Sequence, residues 1–290
     1  MWRSGGLRWG AEGPRLVWEG RGRASALVYG GDIGFRVADV GERTCVGARR
    51  NACPVRAPVP GRGTQARCAE CARLDRAHSV AADTIADDPQ TYRVYLAWFG
   101  PGLVKVGITA EARGSARLLE QGAVAFGWLG RGPLMAARRT EELLRSALGV
   151  PDRIPYASKR AVRSRLPAPE QRAAEVREVH GRAVALPGWP GSLERMAGEV
   201  VDHAQVFGLA GLTDATAAVS ELVAGGVVAG RLVAAAGPDL HLAFADGKLT
   251  VLDTRLMVGW GITATEPGAE TTVPVRRLAT GTEARQEGLF

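Results

Sequence analysis

The stretch TYRVYLAWFGPGLVKVGIT, residues 91–109, decides how the chain is read. Two runs rich in β-branched and aromatic residues, Tyr92–Trp98 and Leu103–Ile108, flank Gly100-Pro101-Gly102. A glycine-containing break of this length predicts a β-hairpin. Two helices are expected after it, over EARGSARLLEQGA (111–123) and PLMAARRTEELLRSALG (133–149). In the second, Pro133 suits the first helical position and Gly149 the residue past the end.

On that second helix Leu134, Ala137, Glu141, Leu144 and Leu148 recur at helical spacing and share the apolar face, so Glu141 sits in the middle of the stripe. Glu142 falls with Arg138, Arg139 and Ser146 on the side expected to face water. A carboxylate among core positions is costly unless a cation or a hydrogen-bond donor meets it. Tyr95 in the first strand, Lys105 in the second and Arg117 on the intervening helix are the candidates.

These residues carry a resemblance. Val94-Tyr95-Leu96, then Lys105-Val106-Gly107, Thr109, Arg117 and Glu141 in order, resemble the GIY-YIG nucleases. The resemblance implies Tyr95 as general base, Arg117 steadying the scissile phosphate and Glu141 holding a divalent ion, Mg or Mn. Two positions depart from the pattern: Arg93 replaces the first glycine, and Lys105 stands where the second tyrosine belongs. Over most of its length the chain is also similar to bacterial proteins of the domain-of-unknown-function 2797 family. That similarity rests on VYLAWFGPGLVKVGIT and RLLEQGA, on four upstream cysteines and on a C-terminal β segment. It implies an architecture and no activity.

At 290 residues and 46% hydrophobic content the chain is long enough for several small domains with real cores. No run approaches the roughly eighteen apolar residues of a membrane span. The opening MWRSGGLRWG lacks an apolar signal region, so a cytoplasmic location is expected. The net charge of +7 suits an anionic partner, and it is uneven. Residues 1–75 carry thirteen arginines against seven acids, a net +6, while residues 198–264 carry three bases against seven acids, a net −4.

All four cysteines, Cys45, Cys53, Cys68 and Cys71, fall within 27 residues. Cys68-Ala-Glu-Cys71 has the spacing that brings two thiolates to one metal, and Cys45 with Cys53 would complete a structural tetrahedral zinc site. The seven residues between Cys45 and Cys53 exceed the usual gap. Disulfides, a redox pair and His78 as a substitute ligand are the other readings. Residues 41–72 hold few large apolar side chains, so the segment needs a cross-link to fold. A metal there would fix a basic surface of Arg43, Arg49, Arg50, Arg56, Arg62 and Arg67, suited to the phosphate backbone of DNA or RNA. A merely solvated arginine-rich loop is the alternative.

The expected architecture is therefore α+β. Short N-terminal strands (1–40) precede the four-cysteine basic module (41–88) and a GIY-YIG-like hairpin and helix core (89–150). A linker and helix (151–197), a small β meander (198–264) and a disordered tail (265–290) follow. Within these, Ala215–Ala224 reads as a short helix, Leu256–Trp260 as a strand and His180 as a helix-surface residue. Basic residues of 153–165 read as extra phosphate contacts. Trp2, Trp9 and Trp18 read as core, with base stacking as the alternative. The functional expectation is metal-dependent phosphodiester hydrolysis. The rivals are a zinc-containing nucleic-acid-binding module without catalysis, and a protein-interaction or small-ligand scaffold.

Overall fold

The computed structural model describes all residues except 11, 20, 21, 40, 50, 78–88, 267 and 279–290. The first elements are β1 (Trp2–Gly10), β2 (Gly13–Trp18), β3 (Ala24–Ala26), β4 (Asp32–Val37) and α1 (Ala69–Ala77). Next come β5 (Tyr92–Trp98), β6 (Val104–Ala110), α2 (Ala116–Gln121), β7 (Ala125–Gly132), α3 (Leu134–Leu148), α4 (Tyr156–Val162) and α5 (Pro169–Val184). The last are β8 (Glu194–Arg195), β9 (Val200–Asp202), β10 (Ala217–Val219), β11 (Val227–Ala236), β12 (Asp239–Ala243), β13 (Leu249–Asp253), β14 (Gly261–Ala264) and β15 (Val275–Arg277). The protein is a mixed α+β chain of two compact units, residues 1–84 with 213–290, and residues 85–212. No helix among the described residues is long and apolar enough to cross a membrane.

The first unit is built on a ten-stranded sheet in the order β15-β10-β13-β12-β11-β4-β14-β1-β2-β3. Strands from both ends of the sequence interleave, since β4 pairs with β11 on one side and β14 on the other. Three expectations are corrected here. The Ala215–Ala224 segment is not a helix, because the edge of β13 and the incoming β15 pair with β10 from either side and override the helical preference of its alanines. Leu256–Trp260 is a 3-10 turn and loop, with the Asp253 side chain accepting from the Arg255 N–H, and the strand starts only at Gly261. The expected tail carries structure at residues 272–277: Val273 is buried, Thr272 donates its N–H to the Val227 carbonyl, and β15 follows.

The sequence pattern gives no strand at β1, because two adjacent glycines interrupt it. They allow the bulge between Ser4 and Gly6, where Gly6 has a φ of 90°.

The second unit has a sheet in the order β6-β5-β7-β8, with β9 also pairing β7. The hairpin and both helices lie where the sequence predicts, yet β7 comes between the helices. Its sequence, AFGWLGRG, is poor in β-branched residues. Its glycines have a packing reason: a Cβ on Gly132 would stand 2.5 Å from the Ser192 carbonyl oxygen, and one on Gly130 2.7 Å from the Leu193 side chain.

Within 151–197 the expected helix is present as α5, and the stretch before it carries a further helix, α4. The Glu175 carboxylate of α5 accepts from the Trp98 indole N–H at 2.6 Å and from the Gly102 N–H at 2.7 Å, clamping the hairpin turn. Lys159 and Arg163, expected on a basic surface, are buried. His180 is also inside, its Nε2 3.1 Å from the Met196 carbonyl oxygen.

Candidate functional site

The pairing of β5 with β6 sets Arg93 opposite Thr109, Tyr95 opposite Gly107 and Ala97 opposite Lys105. The two-residue period then brings Arg93, Tyr95, Lys105 and Thr109 to one sheet face. The Tyr95 ring lies across Gly107, where an added Cβ would meet the phenol oxygen at 2.4 Å, so this position requires glycine. Helix α2 brings the buried Gln121, whose Nε2 donates to the Tyr95 oxygen at 2.8 Å. Trp128 on β7 meets the Tyr95 ring edge to face at 6.3 Å. The Lys105 ammonium stands 5.8 Å from the Tyr95 ring centre and donates to the Asp152 carbonyl at 2.8 Å. The Thr109 hydroxyl is buried without a hydrogen-bond partner among the described residues.

Electrostatics link these groups to α2 and α3. Burial raises the Tyr95 phenol, while the Gln121 hydrogen bond and the Arg117 charge pull it back. Burial brings Lys105 down to about 8, helped by Arg117 and Arg153 and opposed by Glu141 and Asp152. Burial also raises Glu141, with Lys105 the main opposing charge. The cation that acts most strongly on Glu141 is therefore Lys105, ahead of Arg138 and Arg145. Arg117 faces Tyr95 and pairs with Glu120 at 3.8 Å, on the exposed side of α2. Glu141 is half-buried, whereas Glu142 is exposed and bonded to Arg145 at 3.0 Å. Gln121 was missed by sequence reading, although it lies four residues after Arg117 on the same helix face.

In the first unit Cys45, Cys53, Cys68 and Cys71 place their sulfurs within 4.8 Å of one another. Four thiolates around one zinc ion would be about 3.8 Å apart, from a Zn–S distance of about 2.3 Å and tetrahedral angles. The four cysteines thus lie close enough to hold a metal ion. The long Cys45 to Cys53 gap is filled by a tight turn in which Ala48 and Asn51 exchange both backbone hydrogen bonds. Gly47 enters that turn at a φ of 81°, and a Cβ there would lie 1.9 Å from the Asn51 carbonyl oxygen. The N–H groups of Gly47 and Cys68 point at the Cys45 sulfur, at 3.3 and 3.2 Å. The Ala57 backbone holds the Cys53 thiol down to about 7, while burial and the neighbouring sulfurs push Cys71 up to about 12.

The arginines of this module separate into two kinds. Arg49 and Arg56 are exposed at turns with positive φ, 51° and 43°. Arg62 pairs with Glu221 at 3.2 Å, and Arg67 donates to the Gly47 carbonyl at 2.9 Å and pairs with Asp75. Arg43 is not on the surface at all. Its guanidinium is buried and donates to the carbonyls of Val258, Pro60, Gly63 and Arg255, each at 2.8 Å, which ties the module to the sheet. Arg50 and His78 lie outside the described residues.

Fold and sites together define a two-unit α+β protein with a metal-sized cysteine cluster in one unit and, in the other, a buried tyrosine and lysine near a half-buried glutamate. A family model described as "Protein of unknown function (DUF2797)" matches residues 32–262, and the chain belongs to that family. Neither the curated proteins nor the solved structures gave a significant match.

Proposed function

We propose that the protein acts on nucleic acid, with the Tyr95 cluster as a GIY-YIG-like phosphodiester site and the cysteine module as a zinc-held basic element. The observation that carries this reading is the buried Lys105 ammonium 5.8 Å from the buried Tyr95 ring, with the half-buried Glu141 carboxylate within its electrostatic reach. Glu141 would hold a single Mg or Mn ion, which supplies Lewis-acid polarisation of a phosphoryl oxygen. One carboxylate is a thin ligand set, and such an ion would keep most of its waters. Arg117, which is exposed, would meet phosphate charge. Near neutral pH the raised Tyr95 keeps its proton, and Lys105 is the group with an accessible free-base form. Proton transfer from water is therefore assigned to Lys105, and Tyr95 acts as a hydrogen-bond donor.

A four-thiolate donor set with no open position selects structural zinc, and thiolates of this kind need a reducing compartment such as the cytoplasm. Arg49 and Arg56 supply charge for the DNA or RNA backbone. A second reading, binding without cleavage, is favoured by Lys105 itself, which puts a buried cation at a place of proton transfer.

The test is incubation of the protein with labelled single- and double-stranded DNA and RNA, with Mg²⁺ or Mn²⁺ added or withheld. Cleavage should require the added ion and vanish in Glu141→Gln with binding intact. Without cleavage but with Arg117-dependent binding, the second reading stands. No binding at low salt would end both.

A further inference from the structure

We infer that the groove on the ten-stranded sheet between Trp2 and Trp18 binds one nucleobase together with its phosphate. Strands β4, β14, β1, β2 and β3 lie side by side, and the pairs Trp2 with Ile262, Ser4 with Trp18, and Ala264 with Phe35 bring these side chains to one face. The groove has a volume of about 510 Å³. That is within the range of small-ligand sites, roughly 300–1,000 Å³. Phe35 and Ile262, both buried, form an apolar floor.

The walls give the ligand its chemistry. Trp2 is 43% exposed, a large ring left at the surface beside the buried Phe35 and Ile262. Trp18 is pinned by its indole N–H, which donates to the Ser25 hydroxyl at 3.0 Å, so its ring is held before any ligand arrives. The exposed Arg23 guanidinium lies against the Trp2 ring, 5.0 Å from its centre, and no carboxylate among the described residues forms an ion pair with it. A planar π-system stacks on such rings whatever its sequence, and an unneutralised arginine beside them selects an anionic substituent. A nucleobase with its phosphate satisfies both requirements. It could arrive as a free nucleotide or as an unpaired residue of a strand. The site goes beyond the hydrolytic reading, because none of its residues belongs to the Tyr95 cluster.

The experiment is calorimetric titration of the full chain in the Glu141→Gln background, without added Mg²⁺, so that cleavage does not intrude. The probes are adenosine monophosphate, adenosine, ribose 5-phosphate and a short unpaired oligonucleotide. Adenosine monophosphate should bind, and removing either its base or its phosphate should weaken binding about tenfold or more. Trp18→Ala and Arg23→Ala should each lose about tenfold, and Trp18→Phe should restore most of the affinity. A tighter Trp18-dependent fit for the oligonucleotide identifies a strand as the source, and an equal fit identifies free nucleotide. Arg23 is exposed, so its variant reports on binding even if Trp18→Ala folds poorly. The inference is overturned if millimolar nucleotide gives no heat, if ribose 5-phosphate binds as well as the nucleotide, or if Arg23→Ala leaves affinity unchanged.

Discussion

The cysteine module and the Tyr95 cluster bury polar groups by opposite means. In the module the four sulfurs converge through turns, at Gly47, after Cys53 and at the start of α1, with little apolar surface beneath them. In the Tyr95 cluster the positions of Arg93, Tyr95, Lys105 and Thr109 follow from strand register, over a core that includes Ala97, Phe99, Leu118 and Phe126. A geometry assembled from turns needs a ligand to persist, because its backbone entropy is not offset by burial. One assembled from register persists without a ligand and feels each substitution as packing or charge. The two regions should therefore fail differently.

The largest effect is expected in the module. Cys68→Ser, or chelation of the metal, should cost at least about 5 kcal/mol in that unit. Elemental analysis should find one zinc per chain in the wild type; metal-free protein with an unchanged melting curve would erase the contrast. Next is Arg43→Met, which strips donors from four carbonyls and should cost about 3 kcal/mol, read as a lower urea midpoint. If it costs nothing, the module is not tied to the sheet through this side chain.

In the Tyr95 cluster, Gly107→Ala drives a Cβ into the phenol and should cost about 2–3 kcal/mol. Gly102→Ala, with open space but a φ of 70°, should cost only about 1 kcal/mol. Equal costs would mean that Tyr95 is not locked over Gly107.

A smaller, pH-dependent effect belongs to Lys105. Its folded value of about 8 lies below the ordinary lysine value of 10.5, so between these the unfolded chain binds more protons and stability rises with pH. The penalty is fully present below pH 8. Lys105→Met should therefore gain about 2 kcal/mol relative to wild type at pH 7, and the gap should shrink between pH 8 and 10.5 and close only above that window. A gap independent of pH would show that Lys105 is not desolvated. The same protonation makes any cleavage rate rise with pH, reach half its plateau near 8 and level off above that.

Smallest in stability are Arg49→Ala and Arg56→Ala, within about 0.5 kcal/mol. Each should lower the salt slope of nucleic-acid binding by about one. Arg67→Ala should instead lower stability, since it breaks the bond to Gly47. An unchanged salt slope in the first two would remove the module from the binding surface.

What depends on neighbours along the chain was legible in the sequence. The two-residue period marks the hairpin, the helical period separates Glu141 from Glu142, and close spacing gathers the cysteines. The rest came from packing, because burial and pairing depend on what arrives from far along the chain. The glycine-laden AFGWLGRG becomes β7 where residues 192–202 press against it. The alanine-rich 217–219 becomes a strand between β13 and β15. Arg43 looks like any surface arginine until four carbonyls from two distant segments close around it. Lys105 acts on Glu141 through charge because β6 and α3, 36 positions apart in these residues, pack together in one unit. Charge in the sequence is a count; whether it meets solvent, a carbonyl or a carboxylate is settled by packing.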